Sequence, residues 1–426
     1  MKEKMRKLGV KVRQLCSADD FTLTMYYNQD THVRFAQNGI TQHIDGENLV
    51  LNLEVAFDDQ TGTASINQID EESIEMLVHN AEAIALLNMP DPEYIGTDGA
   101  RKLRPLNKQA EATVNLDVKE MVDGIELCVN NAIEKEAKVS GISDKHIYKN
   151  YMMTKKGFQG YDERVLFSHS MTMKKEGVET KVSASVQDYS QFSMEQMIKQ
   201  LNDQFDSLKE PQKIEKGRMP VIMRPQAFLQ WLRYLAWTFQ LREAEEGTSP
   251  YTDQLGKQFF GEKFNLYSTV DNPILSAPLF TRDGTPTKNI SWIENGNIVN
   301  MQCDRFYAKL KGIEPAMMFN TVVDGGDDTE KEMMSKVKRG VILNNLWYIR
   351  PVDMKAGEWT GLTRDGVLYF EDGEVKHSVT NFRWNEILHD ATKRILGLGK
   401  AVQVEHNAIV PTVLFDDFNF VDVTTF

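Results

Sequence analysis

The sequence predicts an α+β protein, with an amino-terminal mixed sheet-and-helix domain followed by a β-rich carboxyl-terminal domain. Three observations carry this. Apolar and polar residues alternate over much of 21–55 and 164–186, the period of strands with one buried face. Other segments repeat apolar residues at three-to-four spacing, as helices lying on a sheet do. After Glu245, glycine and proline punctuate short apolar runs, which suits strands and turns.

Taken in order, Phe21, Leu23 and Met25 share one parity, and Val33 and Phe35 continue it after a turn expected at Asn28-Gln29-Asp30. Asn38-Gly39 is a two-residue hairpin signal, and Leu49, Leu51, Leu53 and Val55 alternate beyond it. Asp70 is an N-cap for a helix with Ile74, Leu77, Ala81 and Ile84 on one stripe, stopping before Pro90. A second helix starts at about Asp117, with Val118, Met121, Val122, Ile125, Val129 and Ile133 at three-to-four spacing. Residues 178–186 are expected to pair with 164–174 across a turn at Glu176-Gly177. Ser193 and Gln196 cap a third helix, which carries Met197, Leu201 and Phe205 and ends before Pro211.

The charged stretch Pro211 to Pro220 marks a boundary between domains at 1–215 and 216–426. One helix from Pro225 to Glu245 opens the second domain, with strands at Val341–Trp347, Gly366–Phe370 and Glu374–Val379. Asp324 to Asp328 reads as a loop tip, and its spacing does not match a calcium-binding EF-hand.

The 426 residues include 62 acidic and 49 basic side chains, a formal net charge of −13. That balance weighs against direct nucleic-acid binding, which needs a cationic surface to displace counterions. Cys16, Cys128 and Cys303 are too few and too scattered for a disulfide framework, and no Cys-x-x-Cys pair exists. No stretch approaches the ~20 apolar residues that cross a bilayer, and no signal-peptide run opens the chain. A cytoplasmic protein without membrane contact is expected.

Residue chemistry alone reveals no active site. The histidines are His32, His43, His79, His146, His169, His377, His389 and His406. No two stand three to five apart, so the helical zinc signatures are absent and each reads as a surface or packed residue. Gly247-Thr248-Ser249-Pro250-Tyr251 begins like a nucleophile elbow but lacks the closing glycine. Gly397-x-Gly399 is only a fragment of a dinucleotide fingerprint, and Cys303 reads as a small core residue.

Several runs resemble one family. Ser335 to Leu343, followed by Trp347, is similar to the Lys-Arg-Gly-Leu-x-Val strand of the TldD/PmbA proteins. Gly366 to Val375, then Val379-Thr380, looks like that family's Gly-x-x-Ile-Glu-Asn-Gly-Glu-Ile hairpin. Asp304 to Gly312 resembles its Asp-x-x-x-Ala-Arg-x-x-Gly element, and Asp271-Asn272-Pro273 its Asp-(Asp/Asn)-Pro turn. Arg34 to Ile40 resembles its amino-terminal hairpin. These runs keep the family's order over nearly the whole chain.

The resemblance implies a metallopeptidase system, also labelled modulator of DNA gyrase, in which a TldD-type subunit pairs with a PmbA-type (TldE) subunit. It acts on peptides or unfolded proteins. The TldD-type subunit carries His-Glu-x-x-x-His on the helix opening the second half, with a carboxyl-terminal cysteine as a further zinc ligand. Here those positions fall at Leu232, Arg233 and Trp237, and no cysteine follows Cys303. The resemblance therefore implies the PmbA-type subunit, with no catalytic residue and no zinc of its own, zinc being expected only in a TldD-type partner. Asp304, Gly340, Gly366, Gly373 and Glu374 are motif positions expected to be structural. The assembly would be a homodimer, or a heterodimer with the zinc subunit. A non-enzymatic homo-oligomeric binding protein is the alternative.

Overall fold

The computed structural model describes residues 1–106, 109–208 and 210–424. The expected α+β class holds. The chain opens with a helix, α1 (Lys2–Leu15), where strands alone were expected. Its buried stripe is narrow (Met5, Gly9 and Val12), and the basic residues around it hide the helical period.

The first sheet comprises β1 (Asp20–Ala36), β2 (Gly39–Phe57) and β3 (Gln60–Ile66) before a helical stretch, and three strands after it. Helices α2 (Glu71–Leu87), α3 (Glu111–Asn115) and α4 (Val118–Glu134) intervene before β4 (Lys138–Thr154), β5 (Gln159–Lys175) and β6 (Val178–Val186). Helix α5 (Met194–Ser207) closes the unit. All neighbours are antiparallel in the order β3-β2-β1-β4-β5-β6.

Local signals set the helix starts. Asp70 accepts from the Ser73 N–H, Asp117 from that of Glu120, and Ser193 from that of Gln196. Ile84, expected inside, is 40% exposed, because only Ile74, Leu77, Val78, Ala81 and Ala85 reach the sheet.

Two strand expectations are corrected. There is no turn at Asn28-Gln29-Asp30: β1 runs straight through, paired on both sides with β2 and β4. Asn28 and Asp30 lie on the face away from the helices, and Gln29 points to the other face, exposed between the two helix-covered patches. The hairpin after β1 turns on Gln37 and Asn38, both at positive φ, with Ala36 facing Gly39. The turn therefore lies one residue earlier than the Asn-Gly signal suggested.

Strand alternation sorts the side chains of this sheet onto two faces. Phe21, Leu23 and Met25 pack beneath α1 and α2, and Val33 and Phe35 beneath α4 and α5. Residues of the other parity, Thr22 to His32, point from the uncovered face.

The second half begins at β7 (Gly217–Met223). The expected single helix from Pro225 to Glu245 is instead three: α6 (Pro225–Leu232), α7 (Leu235–Thr238) and α8 (Leu241–Glu245). The break between α7 and α8 has a long-range cause. Gln240 is extended and bridges to Gln302, whose N–H donates to the Phe239 carbonyl while Leu241 N–H donates to the Gln302 carbonyl.

Beyond them lie β8 (Leu266–Ser268), β9 (Ile290–Glu294), β10 (Asn297–Ile298), α9 (Arg305–Lys311), β11 (Thr321–Val323) and α10 (Glu330–Ser335). A long hairpin, β12 (Arg339–Asp353) and β13 (Glu358–Glu371), precedes β14 (Glu374–Val379), β15 (Phe382–Ile387) and α11 (Leu388–Thr392). The chain finishes with β16 (Ile395–Leu398), β17 (Val402–Glu405), β18 (Ala408–Val410) and β19 (Val413–Val423).

Strands β12, β7, β19, β15 and β13 pair in a ring that the β12–β13 pairing closes. A smaller sheet, β10-β9-β8-β11-β18-β17, lies beside it. Trp231 on α6 meets Trp384 at 5.7 Å and Phe418 at 5.4 Å, centring the largest core. The Asp324–Asp328 segment is a loop, but a docked one: Gly326 N–H donates to Gly399 O, and Asp328 pairs with Lys336. Among the described residues no helix is long and apolar enough to cross a membrane.

Candidate functional site

The uncovered face of the first sheet meets loops of the second half across a cleft of about 700 Å³. Thr22, Thr24 and Tyr26 of β1 line it with Asn150 and Met152 of β4 and Arg164 of β5. The opposite wall is 278–284, Asp304, Arg305 and Met317–Phe319. Phe158 and Phe280 close the seam edge to face at 5.6 Å. Gly160 is required there, since a Cβ would stand 2.6 Å from the Phe280 ring.

The cleft mixes charge and apolar surface. Burial pushes the Glu54 carboxyl up, with Arg282 offsetting part of the rise. Burial likewise raises Asp162, against the pull of Arg164 and Arg104. At the rim, Arg305 reaches Asp98 at 3.0 Å and donates to the Gly96 carbonyl at 3.1 Å.

Further along the same face lies a square of side chains. Antiparallel register places Asp30 opposite His146 and His32 opposite Asp144. His146 Nδ1 is 2.6 Å from Asp30 Oδ1, and His32 Nδ1 is 2.7 Å from Asp144 Oδ1. The two imidazoles meet edge to face at 5.3 Å. Among the described residues, Asp30, His32 and His146 are the one group of three whose ligand atoms converge well enough to hold a metal ion.

Other polar groups are packing residues. Burial pushes His169 down to about 4 and the Cys128 thiol up to about 12, so these neighbours are both neutral at pH 7 and form no nucleophilic pair. Cys303 is buried and pushed up to about 11, chiefly by desolvation. The Ser249 hydroxyl is buried and donates to the Thr238 carbonyl at 2.8 Å.

The positions singled out by resemblance do not gather into one site. Leu232 is buried at the end of α6, Arg233 pairs with Glu405, and Trp237 is 59% exposed. None offers an imidazole, carboxylate or thiolate, so they do not fit zinc. Trp237 lies 5.0 Å from Tyr234 and 5.9 Å from Trp359. Asp304 caps α9, accepting from the Tyr307 N–H, and also borders the cleft. Gly340 sits where a Cβ would be 2.5 Å from the Pro220 carbonyl. Gly366 takes positive φ inside β13, where its register with β12 shifts, Gly373 takes positive φ in the β13–β14 turn, and Glu374 pairs with Lys376 on the surface.

Comparison with known proteins agrees with this architecture. Residues 216–422 match the PmbA/TldA metallopeptidase C-terminal domain. TldE from Thermococcus kodakarensis is similar at 18% identity with a TM-score of 0.87, covering 97% of this chain and 99% of that one. A candidate modulator of a DNA gyrase from Thermotoga maritima is similar at 17% identity with a TM-score of 0.85, over 97% and 99% of the two chains. A counterpart from Bacteroides thetaiotaomicron shares 15% identity with a TM-score of 0.86, over 98% and 99%. No curated protein matches in sequence. Residues 216–422 thus carry the C-terminal domain of the PmbA/TldD family, and the chain has the fold of these proteins along nearly its whole length.

Proposed function

We propose that this chain is the PmbA/TldE-like subunit of a TldD/TldE-type metallopeptidase system that acts on peptides or unfolded proteins, and that it carries no catalytic zinc. One observation carries the reading. Where the resemblance sets zinc ligands, this chain has a buried leucine, a paired arginine and an exposed tryptophan. A TldD-type partner would supply the zinc and its activated water.

What remains here suits binding. Trp237 meets Trp359 edge to face near the tip of the β12–β13 hairpin, and Trp347, Tyr348, Val352 and Met354 of the same hairpin are exposed. Exposed apolar clusters of this kind mark protein interfaces, so this arm is the natural seat for a partner subunit. The cleft, with hydroxyls, both signs of charge and aromatic rings, suits an extended peptide.

The test is co-expression with a TldD-type subunit, followed by peptide hydrolysis by each chain alone and by the mixture. A stable complex that hydrolyses peptides, weakened by Trp347→Asp, is expected, with no hydrolysis by this chain alone. Zinc-dependent hydrolysis by the isolated chain would overturn the reading. Self-association of this chain with no affinity for the partner would favour the homo-oligomeric binding protein instead.

A further inference from the structure

The sequence carries Asp-x-His twice, as Asp30-Thr31-His32 and Asp144-Lys145-His146. A period of two puts both members of each triplet on one sheet face, and antiparallel pairing sets each aspartate against the other strand's histidine. We propose that this square binds a divalent transition-metal ion of the zinc class, with His32, His146 and Asp30 as ligands and Asp144 orienting His32.

The geometry is close to what such an ion needs. One ligand atom from each of the three residues lies within 4.8 Å of the others. Small side-chain rotations bring such atoms to bond lengths of about 2.0–2.2 Å. The donor set selects the class: imidazole with carboxylate suits zinc and its neighbours, whereas calcium and magnesium prefer oxygen alone. The square also brings two carboxyl groups, Asp30 and Asp144, against the two imidazoles, a donor set suited to a dication.

The Asp144 carboxylate accepts from His32 Nδ1 at 2.7 Å, which fixes the ring and leaves Nε2 with its lone pair for the ion. Two paired strands form the base, so the ligands start from a fixed spacing. Three protein ligands leave a coordination position open to water or to a ligand's carboxylate. The square shares its sheet face with Tyr26 and Asn150 of the cleft wall, two cross-strand pairs away. The inference rests on these residues and not on the peptidase reading.

The test strips the full-length chain with a chelator and titrates it with Co²⁺, then Zn²⁺, following the cobalt spectrum and bound metal. One saturable equivalent is expected. His32→Gln and His146→Gln should each weaken binding at least about tenfold, and Asp30→Asn should do the same. His79→Gln on α2 should leave it unchanged. Circular dichroism melts confirm that each variant folds. Absence of saturable binding in the wild type, or undiminished binding in folded His32→Gln and His146→Gln chains, would overturn the site, whatever the peptidase assay gives.

Discussion

Arg305 at the head of α9 is ion-paired with Asp98 in the loop before α3, 3.0 Å from Nη2 to Oδ1, joining the two halves at the mouth of the cleft. The same guanidinium donates to the Gly96 carbonyl. Arg305→Ala should cost about 1–2 kcal/mol, moderated because Asp98 keeps its pairing with Arg101. Urea unfolding measures the loss, and hydrogen exchange at 96–98 and 304–311 should quicken. A change confined to one half would refute the bridging role.

The motif glycines should separate by mechanism. At Gly340 a Cβ would meet backbone, the Pro220 carbonyl at 2.5 Å, so Gly340→Ala must shift β7 against β12. A loss of about 3 kcal/mol is expected, in the range of overpacked cores. Gly373 has φ of 76° and only the Ser335 hydroxyl near, at 3.2 Å. Gly373→Ala should therefore cost about 1 kcal/mol, the penalty of a left-handed alanine. Thermal melts of the two variants decide the order.

Local signals were legible and long-range ones were not. Asp70 and Asp117 announced their helices because a cap is a contact three residues long. The single helix expected over 225–245 failed because Gln302, far along the chain, draws Gln240 into strand pairing. The square of Asp30, His32, Asp144 and His146 has no helical spacing, since Asp30 and His146 are 116 residues apart in sequence. Its one written trace was the repeated Asp-x-His, which acquires meaning only once β1 and β4 are known to be neighbours. That Leu232, Arg233 and Trp237 stand where zinc ligands would be is implied only by the family resemblance, because Leu232 and Trp237 are ordinary helix residues on their own terms.

Acid should destabilise the fold through its buried histidines. Burial holds His169, His389 and His406 each down to about 4. A depressed histidine contributes stability that is complete above its unfolded value near 6.5 and is lost as pH falls toward 4. For His169, hydrogen-bonded to the Ser143 hydroxyl, the loss reaches about 3 kcal/mol. Urea midpoints at pH 7.5, 5.5 and 4.5 should fall in turn, and His169→Gln should flatten the slope.

Asp365 runs the other way. Burial raises its carboxyl to about 6, with Lys181 and Arg364 offsetting only part of the cost. A raised carboxyl favours the folded chain below the unfolded value near 4, and that advantage is lost as pH climbs through about 6. Asp365→Asn should thus be more stable than wild type by about 2–3 kcal/mol at pH 7 and nearly equal to it at pH 4. Equal midpoints at both pH values would contradict this.

The unbroken course of β1 also constrains how the cleft can diversify. Thr22, Thr24, Tyr26, Asp30 and His32 share a parity, and the residues between them belong to the helix-covered layer. Deleting one residue near Gln29 would turn Asp30 and His32 into the apolar layer and bring Thr31 and Val33 out. Length changes of odd number are thereby forbidden within this strand, whereas exchanges of one side chain for another are free. Relatives that retain this fold can re-tailor the wall's chemistry position by position, but they cannot re-phase it.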